Sequence, residues 1–132
     1  MQTDTPRLDD AGLRRFADQH PGRGCSVCRP LESPAWMAFP ASFDAGLLRQ
    51  AATLADADIA EPTFEEWHPA GTRYWDVSAP ISARYFPANR CTVWTCVACG
   101  SAFLRYVEYG GYYIEERVRS LRAGLIAGPA GD

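Results

Sequence analysis

The sequence has no lysine, only two histidines and no long uninterrupted apolar run. No stretch approaches the roughly 18 consecutive apolar residues of a membrane-spanning helix. The N-terminus lacks a basic segment followed by an apolar stretch, so we expect no signal peptide and a cytoplasmic location. Because all 13 basic residues are arginine, the composition is typical of a GC-rich, bacterial genome, and we do not interpret it as function.

Positive charge is also too scarce for a typical polyanion binder. The 13 basic residues face 16 acidic ones, and the net charge is −3 at pH 7. A mildly acidic chain with scattered positive charge binds nucleic acid poorly, so we expect no nucleic-acid partner. Near the C-terminus arginines and glutamates are mixed, which favours local ion pairs over phosphate binding. The residues concerned are Arg105, Arg117, Arg119, Arg122, Glu108, Glu115 and Glu116.

Cysteine is sparse as well, but four of the five cysteines form two C-x2-C steps. In a reducing cytosol, paired steps of this kind indicate metal ligands rather than disulfides. One step turns two thiolates toward one ion, and two steps supply the four sulfurs of a closed tetrahedral site. The sequence therefore predicts a structural zinc ion bound by Cys25, Cys28, Cys96 and Cys99. A closed site of this kind stabilises a fold and leaves no open position for chemistry.

The two dyads resemble the zinc-ribbon class, in which two knuckles bring their sulfurs to one ion. The resemblance covers the four cysteines, Gly100 and the strands flanking the second knuckle, but not the long insertion between the knuckles. In such knuckles the glycine after the second cysteine lets a backbone N–H approach a sulfur, and Gly100 matches that role. The first knuckle departs from the pattern, with Arg29-Pro30 in place of a small residue. The class implies a metal-stabilised fold and no single function.

Other interpretations of the cysteines stay open. Iron in a rubredoxin-like site uses the same ligands. A three-cysteine site with His20 or Cys91 as the fourth ligand is an alternative, although Cys91 is most simply a half-buried strand residue. Two separate pairs of buried thiols are a further alternative. A thioredoxin-like redox pair is disfavoured because neither dyad begins a helix in a βαβ unit.

The predicted fold is α+β, a single zinc-stabilised domain over residues 1–132 with flexible ends at 1–8 and 127–132. An apolar fraction of 47% is enough for a core. Helical spacing predicts two N-terminal helices, over 9–19 and 42–54, and a C-terminal helix from Ile114. Aromatic and β-branched segments predict a small antiparallel sheet whose strands are 63–68, 73–75, 81–86, 92–95 and 102–109. The last two strands enclose the second dyad and form a zinc-knuckle hairpin.

The segment 108–113 carries an unusual density of rings around a Gly-Gly turn. Tyrosine, tryptophan and arginine are the residues that anchor protein interfaces. A turn with three tyrosines holds more rings than an interior easily accommodates, although part of them can belong to the core. We therefore predict a partner-binding surface made of Glu108, Tyr109, Tyr112 and Tyr113.

The favoured hypothesis is a non-enzymatic, zinc-stabilised cytosolic protein that acts by binding another protein. Small acidic single-domain bacterial proteins of this kind serve as inhibitors, adaptors or immunity proteins, and an acidic surface suits a basic partner such as a toxin. One alternative is a nucleic-acid-binding zinc ribbon, which the charge disfavours. The other is a small enzyme that uses Glu65, Glu66 and His68, for which an exposed strand end is the simpler interpretation.

Overall fold

The centre of the molecule is a five-stranded antiparallel sheet. A computed structural model describes residues 5–21 and 24–127. The strands follow the order β1-β5-β4-β3-β2 across the sheet. Their bounds are Met37–Ala38 (β1), Leu48–Thr53 (β2), Thr92–Cys96 (β3), Ala102–Tyr109 (β4) and Ile114–Ser120 (β5). In the described part of the chain, one α-helix and five short 3-10 turns accompany the sheet.

The α-helix, α1 (Asp10–Gln19), forms where the apolar spacing predicts it. The side chain of Asp9 accepts a hydrogen bond from the Gly12 N–H at 2.8 Å, which satisfies one of the free amides of the first turn. Leu13 and Ala17, one turn apart, are buried. The helix therefore packs one apolar stripe on the sheet and leaves its other side in solvent. No helix in the described ranges is long and apolar enough to cross a membrane.

Alternation along β4 divides the core between the two faces of the sheet. Leu104 and Tyr106 point to a first face, which α1 and Trp36 cover. Phe103 points to a second face, where it packs with buried residues that include two of the knuckle cysteines. The predicted hairpin around the second dyad forms, because β3 and β4 pair from Thr92↔Arg105 to Thr95↔Ala102.

The predicted second helix over 42–54 is wrong. Ala45–Leu47 forms a single 3-10 turn, and β2 follows directly and pairs with β3. The register shifts between Gln50 and Ala52, so the buried positions of β2 are Leu48 and Ala52 rather than strictly alternate residues. Because of this bulge, Leu48 packs on the second face of the sheet and Ala52 on the first, so β2 lacks the regular alternation of a strand.

The predicted C-terminal helix is also wrong, and the chain is mostly β rather than α+β. Residues from Ile114 to Ser120 form β5, which pairs with β4 over seven positions from Phe103↔Ser120 to Tyr109↔Ile114. Because Arg117, Val118 and Arg119 are all buried, polar and apolar side chains are not segregated as they are in an amphipathic strand. A 3-10 turn, Ala123–Leu125, follows the strand.

The three strands predicted between residues 63 and 86 do not form. This region contains turns, a 3-10 turn at Pro69–Gly71 and one isolated bridge that pairs Ile81 with Ile126. It packs through Tyr74 and Phe86 against the core of the first face. Of the ends predicted to be flexible, 1–4 and 128–132 lie outside the described residues.

Candidate metal centre

Local hydrogen bonds shape each cysteine dyad into a tight turn. In the first knuckle, the Arg29 N–H donates to the Cys25 carbonyl at 3.0 Å, and a 3-10 turn then carries the Arg29-Pro30 pair. Proline at the start of such a turn loses no hydrogen bond, so this departure from the zinc-ribbon pattern is accommodated. In the second knuckle, the Gly100 N–H donates to the Cys96 carbonyl at 2.8 Å. Gly100 has φ +79°, a conformation that glycine adopts without strain.

Contacts distant in sequence bring the two knuckles together. The Gly24 N–H, just before the first dyad, donates to the Ser101 hydroxyl oxygen at 3.1 Å, just after the second. Cys96 ends β3 and lies opposite Leu48 of β2. The Val97 N–H donates to the Leu47 carbonyl at 3.0 Å. The sheet and these loop contacts therefore hold both knuckles on the second face.

The four sulfur atoms lie at the spacing of a metal tetrahedron. The Sγ–Sγ distance is 3.9 Å between Cys25 and Cys28, 3.8 Å between Cys25 and Cys96, and 3.6 Å between Cys28 and Cys99. All four sulfurs lie within 4.8 Å of one another. A zinc ion with Zn–S bonds of about 2.3 Å requires sulfur–sulfur edges of about 3.8 Å. A disulfide requires about 2.05 Å, so the observed spacing fits a metal and not a covalent bond.

Burial and hydrogen bonding shift the pKa values of Cys28, Cys96 and Cys99 in different directions. Burial is the main cause that raises the pKa of Cys28 to about 12, and burial also raises the pKa of Cys96. At Cys99 burial acts in the same direction, but hydrogen bonds with the side chain and backbone of Ser101 outweigh it and lower the pKa to about 7. Buried thiols become thiolates only when positive charge compensates them, and a divalent cation supplies that charge.

Ser101 is the site residue that sequence reasoning missed. Its hydroxyl oxygen lies 3.1 Å from the Cys99 sulfur and also accepts the Gly24 N–H. The residue is buried. A metal ligand is usually held in place by a nearby hydroxyl, carbonyl or carboxylate. The one signal for Ser101 in the sequence is its position two residues after Cys99, a predicted ligand.

The structure brings neither substitute ligand to the cluster. The Nδ1 atom of His20 lies 2.9 Å from the Phe16 carbonyl oxygen, and its ring stacks on the Phe16 ring at 4.1 Å. Cys91 is fully buried in the core of the first face, and its thiol donates to the Pro87 carbonyl at 3.3 Å. Among the described residues, the four-sulfur group therefore consists of the two dyads alone.

Two of the three residues of the enzyme alternative meet on the surface. His68 Nε2 lies 2.6 Å from a carboxylate oxygen of Glu66, whereas Glu65 is exposed. The Thr72 hydroxyl oxygen lies 3.5 Å from His68 Nδ1, but the hydroxyl donates to the Pro69 carbonyl at 3.1 Å. The arrangement is a His–carboxylate pair with a neighbouring hydroxyl whose proton is already engaged.

The predicted partner-binding residues surround the turn between β4 and β5. The exposed fraction is 73% for Tyr109, 104% for Tyr112 and 51% for Tyr113. The Gly110 N–H donates to the Tyr113 carbonyl at 2.8 Å and closes the turn. Glu108 is half-buried, and its carboxylate accepts from the Tyr106 hydroxyl at 2.7 Å. The three tyrosines thus lie on the surface, while Glu108 belongs to a hydrogen-bond network beneath them, which Tyr113 joins by accepting from Arg117 at 3.2 Å.

Comparison with known proteins found no match, neither among protein families and curated proteins nor among solved structures. The likeness to zinc ribbons therefore rests on the cysteine spacing, the hairpin between β3 and β4, and the sulfur geometry.

Proposed function

We propose that this is a non-enzymatic, zinc-stabilised cytosolic protein that binds another protein through the hairpin tip. The hairpin tip lies at the turn between β4 and β5 and is defined as Tyr109, Tyr112, Tyr113 and Ile114. The observation that carries the proposal is the exposure of these four large side chains, of which Ile114 is 71% exposed. Adjacent exposed aromatic and aliphatic side chains are typical of interaction surfaces, whereas isolated ones are common on any protein.

Zinc is the ion we assign to the four cysteines. Soft thiolates in a tetrahedral set favour zinc or iron, and zinc is the commoner ion in structural sites of this kind. The bound ion would hold the knuckles together and supply no reactive position. Elemental analysis of the purified protein should find one zinc per chain. Iron in its place would contradict the assignment of zinc, and the absence of both metals would contradict the site itself.

The hairpin tip lies at one end of β4, and the second knuckle lies at the other end. β4 has eight residues, so the tip lies about 25 Å from the second dyad along the strand. Seven paired positions join β4 to β5, and four join β4 to β3. A surface on a rigid hairpin loses little conformational entropy on binding, which favours affinity.

Charge around the hairpin tip favours a basic partner. Glu108, Glu115 and Glu116 face Arg105 and Arg117, so three acids meet two bases at this end of the sheet. The whole chain carries a net charge of −3. Complementary charge increases the association rate and the selectivity of such contacts. An inhibitor, an adaptor or an immunity protein for a basic toxin fits this surface.

The test is capture of the native partner by variants of the hairpin tip. Losing one aromatic anchor commonly costs about 2 kcal/mol of binding free energy. Tyr109→Ala or Tyr112→Ala should therefore raise the dissociation constant roughly 30-fold. Val77→Ala is the matched control, because Val77 is 60% exposed and lies outside the tip. Metal content and melting temperature should stay unchanged in all three variants. If both tyrosine variants capture the partner as the control does, the hairpin tip is not the binding surface.

A further inference from the structure

Arg119 is the largest of the fully buried side chains, with 1% of its surface exposed. Its Nε donates to the Pro34 carbonyl at 2.9 Å, and its Nη2 donates to the Ala79 carbonyl at 2.9 Å. Its guanidinium carbon also lies 5.9 Å from the centre of the Trp36 ring. All of these partners are neutral, and the two carbonyls occupy only part of the five donors of a guanidinium.

The neighbouring arginines of the sheet, unlike Arg119, have carboxylate partners in the described part of the chain. Arg105 donates to the Glu116 carboxylate, and Arg117 donates to the carboxylates of Glu115, at 2.9 Å, and Glu108, at 3.4 Å. Within residues 5–21 and 24–127, no carboxylate lies at ion-pair distance from Arg119. Burial lowers the pKa of Arg119 to about 10, so the side chain still carries its charge at neutral pH. A buried cation without a counter-ion is strongly unfavourable.

Arg119 also lines a cavity of about 20 Å³ on the first face of the sheet. Its walls include Trp36, which is buried, and the half-buried side chains of Tyr74, Phe86, Trp67 and His68. This volume holds one water-sized group. It is too small for a tetrahedral oxyanion such as phosphate.

The groups that line the cavity are otherwise neutral or already engaged. Ser82 donates its hydroxyl to the Asp10 carboxylate at 2.9 Å, outside the cavity. His68 is held by Glu66 through Nε2. Among the described lining residues there is no aspartate or glutamate. Arg119 is therefore the cation that lines the cavity directly, while the nearest carboxylates, those of Asp10 and Glu66, lie behind Ser82 and His68 and are hydrogen-bonded to them.

We propose that this cavity binds one small monovalent anion, either a halide ion or the end of a single carboxylate group, with the Arg119 guanidinium as its counter-ion. The proposal unites three observations: a buried cation without a carboxylate, a cavity that the cation lines, and a volume that admits one water-sized group. The aromatic walls lower the local dielectric constant around the contact, which strengthens it.

The experiment measures the melting temperature of the full chain at constant ionic strength. Bromide, chloride or formate progressively replaces methanesulfonate, a monovalent anion whose head group is too large for the cavity. We expect a saturable rise in melting temperature, together with saturable quenching of tryptophan fluorescence by bromide, because Trp36 and Trp67 line the cavity. A response to halides alone assigns an inorganic ion, and an added response to formate assigns a carboxylate end group.

Arg119→Met should abolish both responses, while Arg122→Met, at an exposed arginine three residues later, should retain them. A wild-type protein whose melting temperature does not distinguish the anions overturns the proposal, and so does an unchanged response in Arg119→Met. If Arg119→Met does not fold, crystals of the wild-type protein grown in bromide decide the question. An anomalous peak beside the Arg119 guanidinium supports the site, and its absence refutes it.

Discussion

Replacing Cys96 with serine should remove the metal and leave most of the sheet intact. Cys96 is buried at the end of β3, and its sulfur lies 3.8 Å from that of Cys25. Serine has nearly the same shape as cysteine, but a hydroxyl is a much poorer ligand for zinc than a thiolate. The remaining three sulfurs would hold the ion weakly, so we expect a fall in both metal content and stability.

The magnitude follows from the length of chain that the metal closes into a loop. Cys25 and Cys96, the first cysteines of the two dyads, are 71 positions apart. By the loop-closure relation used for disulfides, a cross-link over about 70 residues stabilises the fold by about 4 kcal/mol. Zinc contributes about 10 kcal/mol or more in zinc fingers, which have almost no core of their own. This domain has a core on both faces of its sheet, so we expect the smaller value, equivalent to a decrease of roughly 10–20 °C in melting temperature.

The assay combines thermal melting followed by circular dichroism with elemental analysis of each sample. Cys91→Ala is the matched control, because Cys91 is a buried thiol outside the cluster. It should keep its metal and lose only about 1–2 kcal/mol. A chelator should destabilise the wild type and the control, but leave Cys96→Ser unchanged. If Cys96→Ser melts like the wild type, or if the chelator has no effect on the wild type, the reasoning is refuted.

Four further predictions concern single features of the molecule. Ser101→Ala should lower metal affinity about tenfold in competition with a chromogenic chelator, because the hydroxyl that lies 3.1 Å from the Cys99 sulfur is lost; equal affinity would contradict this. Burial raises the pKa of Tyr74 and of Tyr106 above the usual 10.0, so stability that is present below pH 10 should decrease as the pH rises above it. An ultraviolet titration in which all six tyrosines of the native protein ionise together would exclude this effect. His68→Ala should cost less than about 1 kcal/mol and leave partner capture unchanged, since a partly exposed ion pair contributes little; loss of a turnover with an intact fold would favour the enzyme alternative. The protein should pass through a polyanion column without retention, and salt-dependent retention would favour a nucleic-acid partner.

The parts of the fold that the sequence predicted correctly are those in which local signals agree. Asp9 precedes the apolar spacing of α1, and the cap and the helix both form. The second dyad is flanked by two β-branched and aromatic segments, and these became β3 and β4. The metal site required no knowledge of topology, because ligand spacing alone indicated that the two dyads share an ion, and the structure brings the four sulfurs together.

The wrong helix predictions at β2 and β5 come from tertiary contacts that the local sequence pattern does not reveal. In β2, the bulge between Gln50 and Ala52 shifts the buried positions and hides the strand period. In β5, arginines at buried positions resemble the polar face of a helix, because a sequence does not show that Glu115 and Tyr74 accept hydrogen bonds from Arg117. The cavity beside Arg119 was invisible for the same reason. Its walls come from segments that irregular structure, rather than a strand or helix pattern, brings together.

The four-sulfur cluster also imposes an order on the biosynthesis of the protein. Cys96 follows Cys25 by 71 positions, which corresponds to roughly 4–14 s of translation at about 5–20 residues per second. Pairing of β1 is delayed slightly longer, because its partner is β5, with Met37 opposite Val118. During this interval the nascent chain carries an unpaired dithiol that an oxidant could close into a disulfide. All four sulfurs are available to a metal ion only after the second dyad has emerged, and until then the first knuckle is exposed to oxidation.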